Sequence, residues 1–358
     1  MMAHDSCLPD GLMAEPDRLS ELQLNDPAWL DFVAAATEAT VFHLPAWARV
    51  LADTYRYRAV ALATVNEQGR VTAGAPLARV RRLSGAAWVS LPFSDHCPPL
   101  APDRASLGRL AAALAGWTAS EGVPVEVRGA LPAMPGCQNV VVGVRHVLAL
   151  DRGVDGLRKG LSDTHRRRTR QAEQGGLQVR FGQTAEEMDA FYRLHVLTRR
   201  RQGVPVQPRR FFRAIWRRMI ASGHGVVVLV ETPSGRSLAG AVVLASKETA
   251  IGKFQASDES GWELRPNHLC WWAAIRWASE TGHRFFDFGR TETRHAGLQQ
   301  FKAGWGAEPI PLTYATMGGG GVEVDGPGLL DAAVRQVIKR SPAVVCRTLG
   351  SLLYRFAA

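Results

Sequence analysis

The sequence predicts a mixed α/β protein of two domains followed by a helical tail. Its 358 residues exceed the roughly 100–200 residues of a typical domain. Segments with strand periodicity alternate with segments of helical periodicity in both halves of the chain. A polar break at residues 151–155 separates the two halves, which predicts a boundary there.

Composition narrows the class of protein. A hydrophobic fraction of 46% and a charged fraction of 21% are ordinary for a globular fold. The five cysteines are widely spaced, which argues against a disulfide framework or a zinc knuckle, so we expect no metal site. The acidic N-terminus does not resemble a signal peptide, and no run of ~20 apolar residues occurs. The sequence therefore predicts a cytoplasmic protein. Peripheral binding to the inner face of the membrane is the alternative location.

The first half begins with a polar segment, residues 1–24, that we expect to be disordered. The N-terminal domain, residues 25–150, starts with two helices within 27–56 that are broken near Pro45. A third helix is predicted at 105–121 from its periodicity. The predicted strands of this domain are 59–65, 70–80, 87–91, 125–128 and 146–150.

The second half, residues 155–317, begins with a basic helix at 157–175 that ends in paired glycines. The other predicted helices are 186–202, 208–222, 266–282 and 298–303. The predicted strands are 177–181, 225–231, 237–246, 249–256, 285–288 and 310–316. This order of elements is that of an N-acetyltransferase-like domain, and the first half is interpreted as a degenerate copy of it.

The C-terminal segment, residues 325–358, follows a glycine hinge at 318–321. It predicts an amphipathic helical pair broken at Pro342, with basic residues on its polar face. Packing onto the body is one interpretation, and lying on an anionic membrane surface is the other.

The net charge of +10 is concentrated in one segment. Residues 158–218 hold 16 Arg and Lys against five Asp and Glu. A solvated arginine-rich surface is one interpretation, and a surface for a polyanion such as tRNA or a diphosphate carrier is the other. Arg166, Arg167 and Arg170 are the candidate phosphate contacts.

Three motifs in the second half are distinctive. They are LRPNHLCWWAAI at 264–275, FDFGRT at 286–291 and GLQQFKAGWG at 297–306. In order and spacing they resemble the Fem-type peptidyltransferases, a family with BioF2-like acetyltransferase domains of the GNAT superfamily. The segments 42–47 and 91–93 resemble the first domain of that family. The tail resembles the branch associated with exopolysaccharide and PEP-CTERM gene clusters.

The resemblance implies two domains of GNAT-like, acyl-CoA N-acyltransferase fold, each a mixed sheet flanked by helices, with a cleft between them. It also implies an enzyme that joins an acyl or aminoacyl group to an amine of a cell-envelope, exopolysaccharide or small-molecule acceptor. The co-substrate is an aminoacyl-tRNA or an acyl-CoA or other acyl-thioester, with no tightly bound cofactor. The glycine-rich turn that holds the coenzyme A diphosphate in ordinary acetyltransferases is missing before residue 266, which favours another donor. The alternative is a non-catalytic binding protein that recruits a lipid-linked saccharide.

Lys302 is the first candidate for chemistry, because with Phe301 it matches the Phe-Lys pair of the family. Amide formation passes through an anionic tetrahedral centre, and a fixed cation beside it stabilises the developing charge. A salt bridge at a helix end is the structural alternative. Phe301 and Trp305, in the same motif, are candidate substrate contacts.

Asp287 and Arg290 flank a turn at Gly289. A buried carboxylate needs a partner, so Arg290 is predicted to pair with Asp287. The functional interpretation makes Asp287 a general base and Arg290 a phosphate clamp. Asn267 and His268 begin the long helix, where they either cap it or place substrate at its N-terminus, with His268 as a proton shuttle.

Overall fold

The computed structural model describes residues 17–82, 85–319, 332–342, 345–348, 350 and 354. In this part of the chain, twelve strands form one continuous sheet. The strands are β1 (Arg18–Gln23), β2 (Arg58–Val65), β3 (Val71–Arg82), β4 (Gly85–Val89), β5 (Val125–Val127), β6 (Cys137–Ala149), β7 (Gln178–Gly182), β8 (Gly225–Glu231), β9 (Ser237–Ser246), β10 (Thr249–Ser257), β11 (Phe285–Thr291) and β12 (Glu308–Met317).

Ten α-helices accompany the sheet in the described residues. They are α1 (Pro27–Ala35), α2 (Pro45–Tyr55), α3 (Arg104–Glu121), α4 (Gly153–Gly160), α5 (Asp163–Gln174), α6 (Ala185–Gln202), α7 (Arg209–Arg218), α8 (Pro266–Glu280), α9 (Ala296–Ala303) and α10 (Ala332–Arg340). No helix in these residues combines the length and apolarity needed to cross a bilayer.

Local sequence explains where several helices begin and end. The carboxylate of Asp103 accepts the amide of Ser106 at the start of α3, and Thr184 with Glu187 forms a capping box at the start of α6. Gly122 and Gly203 end these two helices in the left-handed conformation, which glycine adopts without steric cost.

The strand order shows that the two halves repeat one arrangement. From one edge the order is β1-β2-β3-β4-β5, from the other it is β7-β8-β9-β10-β11, and β12 and β6 lie between them. Two helices separate the first two strands of each half, and one long helix separates the fourth strand from the fifth. The fourth and fifth strands are parallel in both halves. This agrees with the prediction that the first half copies the second.

The halves exchange their last strands. β6 pairs with β11 of the second half, whereas β12 pairs with β5 of the first. β6 and β12 also pair with each other along ten residues of β12. Strand exchange therefore joins the sheets of the two halves into one, because the backbone of each central strand finds partners on both sides.

The largest differences from the predicted element boundaries concern β1, the basic helix and β6. β1 lies inside the segment predicted to be disordered, because Arg18–Gln23 completes the sheet edge against β2. The predicted basic helix at 157–175 is two helices, α4 and α5, since Ser162 caps a new helix by accepting the amide of His165. β6 begins at Cys137, well before the predicted 146.

Two helices from opposite halves, α2 and α7, pack against each other. Trp47 of α2 and Phe211 of α7 are both fully buried, with ring centroids 6.1 Å apart in an edge-to-face arrangement. At the surface of this interface, Arg217 and Arg218 both donate to the carboxylate of Asp53, at 2.8 and 2.9 Å.

The predicted tail lies partly outside the described residues. Within them, α10 packs against α6, and residues 345–348 are helical. Ile338, Cys346 and Tyr354 are buried, and the Tyr354 hydroxyl accepts a hydrogen bond from Arg199 at 2.6 Å. The described part of the tail therefore packs onto the body.

Candidate active site

A cleft opens where β10 and β11 separate. The two strands are paired in parallel only from Thr249 to Ile251. A bulge between Gly252 and Phe254 then leaves Lys253 outside the ladder to β9. A cavity of about 490 Å³ lies at this point, between both strands and the N-terminus of α8. We call it the α8 pocket.

The α8 pocket is electropositive and partly aromatic. Its lining contains three cations, Lys253, Arg265 and Lys302, and no acidic side chain. Its aromatic side chains are Trp262, Trp271, Phe288 and Phe301. Convergent cations in an aromatic cleft suit a phosphate-bearing ligand with an apolar part.

The start of α8 is unusual for a helix. Arg265 precedes it in the left-handed conformation, with φ 58°, and Pro266 lies in its first turn. Asn267, for which capping and substrate contact were the two alternatives, does not cap this helix: its side-chain carbonyl oxygen accepts the side-chain amide of Gln255 at 2.6 Å. Both side chains line the α8 pocket, so Asn267 is held where a ligand would touch it.

His268 also lines the α8 pocket and is buried. Burial, reinforced by the neighbouring His165 and by arginines, lowers the pKa of His268 to about 3. Its ring packs edge to face on His165 and Phe301, with centroids 5.1 and 5.4 Å away. His268 is therefore neutral near pH 7 and presents an uncharged ring to the pocket.

Phe301 and Trp305, predicted together as substrate contacts, occupy different positions. Phe301 lines the α8 pocket, whereas Trp305 lies behind it and lines a separate cavity of about 250 Å³ near α4. Trp305 packs edge to face on His165, with centroids 4.6 Å apart. Trp305 thus supports the aromatic wall from the core.

Lys302 is buried, with 5% of its surface exposed, and it borders the α8 pocket. Its ammonium donates to the carbonyl oxygens of Phe288 and Gly289 at 2.7 Å each and of Arg290 at 3.3 Å. Burial, opposed by the charges of Asp95 and Asp287, lowers the pKa of Lys302 to about 8. The lysine thus places a positive charge directly behind the β11 segment that faces the pocket.

Asp287 is held on the other side of the same segment. Its carboxylate accepts the amide of Gly289 at 2.8 Å and pairs with Arg145 of β6 at 3.1 Å. Burial raises the pKa of Asp287, against the opposing effect of Arg145. Asp287 is not among the residues that line the α8 pocket or its neighbour. The predicted Asp287–Arg290 pair is therefore corrected: the partner is Arg145, which strand exchange brings alongside β11.

A second cavity, of about 280 Å³, adjoins the first. Arg290 lines it and lies 3.8 Å from the carboxylate of Glu292. Asp95 lines it as well, so we call it the Asp95 pocket. Lys253 and Leu298 belong to the lining of both cavities, and so form the partition between them.

Asp95 comes from the first half of the chain, on the loop after β4. Its carboxylate pairs with Lys253 at 3.1 Å, and its carbonyl oxygen accepts the hydroxyl of Tyr314 at 2.9 Å. Burial alone would raise the pKa of Asp95, but Lys253, with help from Arg290 and Lys302, holds this pKa below its usual value. A charged carboxylate therefore faces Lys253 across the junction of the two halves.

Sequence reasoning missed Asp95, Lys253 and Arg145. Lys253 gave no signal, because a bulge within a strand is not visible in the residue pattern. Asp95 follows the segment 91–93, which resembles the Fem family, but it is not part of that segment. Each of these side chains reaches the site through a contact between distant parts of the chain.

The predicted phosphate contacts lie on the outer face of α5. Arg166 is half-exposed, donates to the carbonyl oxygen of Leu161 at 3.0 Å and lies 3.3 Å from Asp163. Arg167 and Arg170 are exposed. The opposite face of α5 packs on α8 through His165, Thr169 and Ala172. The three arginines are thus next to the helix that borders the α8 pocket but outside the pocket itself.

Residues 159–303 match the family described as Acetyltransferase (GNAT) domain. This segment includes every residue that lines the α8 pocket. No curated protein sequence shows significant similarity to the chain.

Several solved structures share the fold. FemX superposes with a TM-score of 0.66 at 16% identity, over 83% of this chain and 96% of FemX. L-PGS from Bacillus licheniformis gives 0.55 at 11% identity, over 89% and 99%. A tandem GNAT protein from the clavulanic acid biosynthesis pathway gives 0.53 at 16% identity, over 85% and 99%. At these identities the likeness concerns the fold, which is a mixed α/β arrangement of two GNAT-like units, as the sequence predicted.

Proposed function

We propose that this protein is an N-acyltransferase that forms an amide bond, with the acyl donor in the α8 pocket and the acceptor amine in the Asp95 pocket. The single observation that carries this proposal is the shared partition. Lys253 lines both cavities, so two ligands bound in them would meet at its side chain. Such an arrangement holds a donor carbonyl next to an amine, which supplies much of the rate of a two-substrate reaction.

The chemistry of each pocket supports its assignment. The three cations of the α8 pocket suit a donor that carries phosphates. The charged carboxylate of Asp95 suits an amine, which donates hydrogen bonds to it. In the reaction the amine nitrogen bonds to the donor carbonyl carbon, the bond to the leaving oxygen or sulfur breaks, and the proton of the amine passes to that leaving atom.

Lys302 and Asp287 have different roles in this proposal. The buried ammonium of Lys302 stabilises the negative charge that develops on the carbonyl oxygen of the donor. Asp287 is a positioning residue, because its carboxylate is occupied by Arg145 and Gly289. It keeps the β11 segment in the conformation that Lys302 requires.

Two donors fit the cations of the α8 pocket. An aminoacyl-tRNA is favoured by the start of α8: Pro266 has no amide N–H, and the amide of His268 is bonded to the carbonyl oxygen of Arg265. The N-terminus of α8 therefore lacks free amide N–H groups at these two positions, where a helix that binds a coenzyme A diphosphate would use them. The exposed arginines of α5 beside α8 support the same donor. An acyl-CoA is favoured by the match of residues 159–303 to the GNAT acetyltransferase family.

The resemblance to the Fem family supports a class of acceptor. FemX superposes on most of this chain, and the motifs at 264–306 resemble the Fem family. We therefore include an amine of a cell-envelope or exopolysaccharide precursor in the proposal, with a small-molecule amine as the other class. A chain acting on such precursors would work at the inner face of the membrane.

A donor screen with purified protein tests the proposal. Binding and acyl transfer to a panel of amines are compared for charged tRNA, uncharged tRNA, acetyl-CoA and a long-chain acyl-CoA. Preference for charged over uncharged tRNA supports the aminoacyl-tRNA donor, and saturable thioester binding with transfer supports the acyl-CoA donor. Binding of none of these donors contradicts the proposal and favours a non-catalytic protein that recruits its ligand.

The site of binding is checked with Trp262→Ala. Trp262 borders the α8 pocket and is 41% exposed, with the guanidinium of Arg201 4.5 Å from its ring centroid. Removing the ring should weaken donor binding. Trp277→Ala, on the far half of α8 and outside the pocket, is the matched control.

A further inference from the structure

A third feature of the surface lies apart from both pockets. It is a groove of about 640 Å³ at the junction of the two halves, between the C-terminal end of α2, the end of β3 and α7. Four arginines line it: Arg56, Arg79, Arg81 and Arg210. We call it the arginine groove. Tyr55 also lines it, and the ring of Tyr55 lies 5.1 Å from that of Phe93, which lines the Asp95 pocket.

The arginines that line the groove have no acidic partner in the part of the chain that the structure describes. All four arginines are exposed, and among the described residues none of them forms an ion pair; the pairs that occur nearby involve other arginines. Asp53 is the acid of the lining. Hydrogen bonds from Arg218 and Arg217 hold the pKa of Asp53 below its usual value, so its charge is already shared by two arginines.

The backbone gives a second, independent observation, which is that local conformation places these arginines at the groove. Arg56 ends α2 in the left-handed conformation, with φ 60°. Helices usually place glycine or asparagine at this position, because a side chain with a Cβ is strained there. Arg79 and Arg81 are two residues apart on β3 and so point to one face of the sheet. The positions of Arg56, Arg79 and Arg81 thus bring three guanidinium groups to the lining of one groove.

The remaining arginines of α7 limit the size of the ligand. Arg209 and Arg213 both pair with Asp189, at 2.5 and 3.3 Å, and Arg217 and Arg218 pair with Asp53. Only Arg210 of the five arginines on this helix is left to face the groove. On α7 the unpaired charge is therefore limited to Arg210, whereas a site for a long polyanion would require it to continue along the helix.

We propose that the arginine groove binds a compact anion with two linked phosphates, separate from the acyl-transfer site. Guanidinium groups form paired, charge-assisted hydrogen bonds with phosphate oxygens, and several of them around one cavity match a multivalent phosphate better than a single carboxylate. The diphosphate belongs either to a free anion or to a nucleoside diphosphate, and both fit the volume of the groove.

Titration calorimetry with inorganic pyrophosphate tests the proposal, with ADP and AMP as second and third probes and tRNA as a fourth. The first variant is R79Q/R81Q and the second is R210Q, on a different element. The matched control is R276Q/R284Q, which removes the same charge from two arginines that pair with Glu280 and Glu248 away from the groove. Thermal melting of every variant shows whether it is folded.

The expected result is saturable binding of one pyrophosphate per chain, weakened about tenfold or more in both groove variants and unchanged in the control. ADP binding more tightly than pyrophosphate assigns the diphosphate to a nucleotide, and equal binding assigns it to a free anion. Equal weakening in the control, no saturable binding, or binding of tRNA alone would overturn the proposal. Because the readout is binding at the groove, failure of acyl transfer leaves this result unaffected.

Discussion

Lys302 and Asp287 are joined through one residue, Gly289. The ammonium of Lys302 donates to the carbonyl oxygen of Gly289 at 2.7 Å, while the carboxylate of Asp287 accepts the amide of Gly289 at 2.8 Å. This residue lies in a bulge of β11, where Phe288 and Gly289 have no partners on β6. A cation thus holds the carbonyl oxygen of Gly289 and an anion holds its amide, directly after Phe288, which lines the α8 pocket.

Replacing Lys302 tests its electrostatic role. Lys302→Met should lower kcat/KM by about 100-fold, since removal of one fixed, preorganised charge beside a developing oxyanion has effects of this size. Steady-state kinetics with the donor identified by the screen measures it. Lys159→Met, at an exposed lysine of α4, is the control. A loss confined to thermal stability, with kcat/KM unchanged, would contradict a role in the reaction.

The pH profile tests the same charge in another way. Because burial lowers the pKa of Lys302 to about 8, the side chain is charged below that pH and loses its proton above it. Transfer that depends on the ammonium should therefore fall as the pH rises from about 7 to 9. Lys302→Arg should move this alkaline limb to higher pH, because a guanidinium keeps its proton. A rate that rises through pH 8 would show that neutral Lys302 acts as a base instead.

A pair of substitutions separates the two possible roles of Asp287. Asp287→Asn keeps an oxygen that can accept the amide of Gly289, so a positioning role predicts that most activity is retained. Asp287→Ala leaves that buried amide without a partner, which should cost about 1–3 kcal/mol of unfolding free energy and lower activity as well. Urea unfolding and initial rates measure both effects. If Asp287 were a general base, the Asn variant would lose about 100-fold or more.

Asp95 is predicted to control the acceptor. Asp95→Asn removes the charge that faces the acceptor amine and leaves Lys253 without its carboxylate. The KM for the amine should rise about tenfold, the effect of losing one charge-assisted hydrogen bond, whereas the KM for the donor should change little. Asp151→Asn, at an exposed position outside both pockets, is the control. An increase in the donor KM alone would reverse the assignment of the two pockets.

Gly289 itself offers a test with a matched partner. An added Cβ at Gly289 would lie 3.0 Å from a carboxylate oxygen of Asp95, whereas at Gly282 it would meet nothing within 4 Å. Both residues have positive φ, 69° and 83°, so both alanine variants carry the strain of the left-handed conformation, about 1–2 kcal/mol. Gly289→Ala should in addition displace Asp95 and reduce transfer. Equal activity in the two variants would show that the Asp95 contact does not matter.

The residue pattern alone predicted the classes of element and their order along the chain. Periodicity located nearly all helices and strands of the second half, because an amphipathic face must be buried wherever the chain folds. The three motifs at 264–306 directed attention to the segment that contains Lys302, Asn267 and His268, which border one cavity. The repeat of the first half also followed from element order, without any detectable repeat of residues.

Which side chains meet at the site depends on the folded arrangement of the whole chain. Strand exchange brings Arg145 to Asp287, a bulge turns Lys253 out of its ladder, and a loop of the first half carries Asp95 to Lys253. Each of these contacts joins residues far apart in the chain, where local periodicity carries no information. Pairing of the central strands and the demand that buried charges find partners decided them, and both depend on the whole fold.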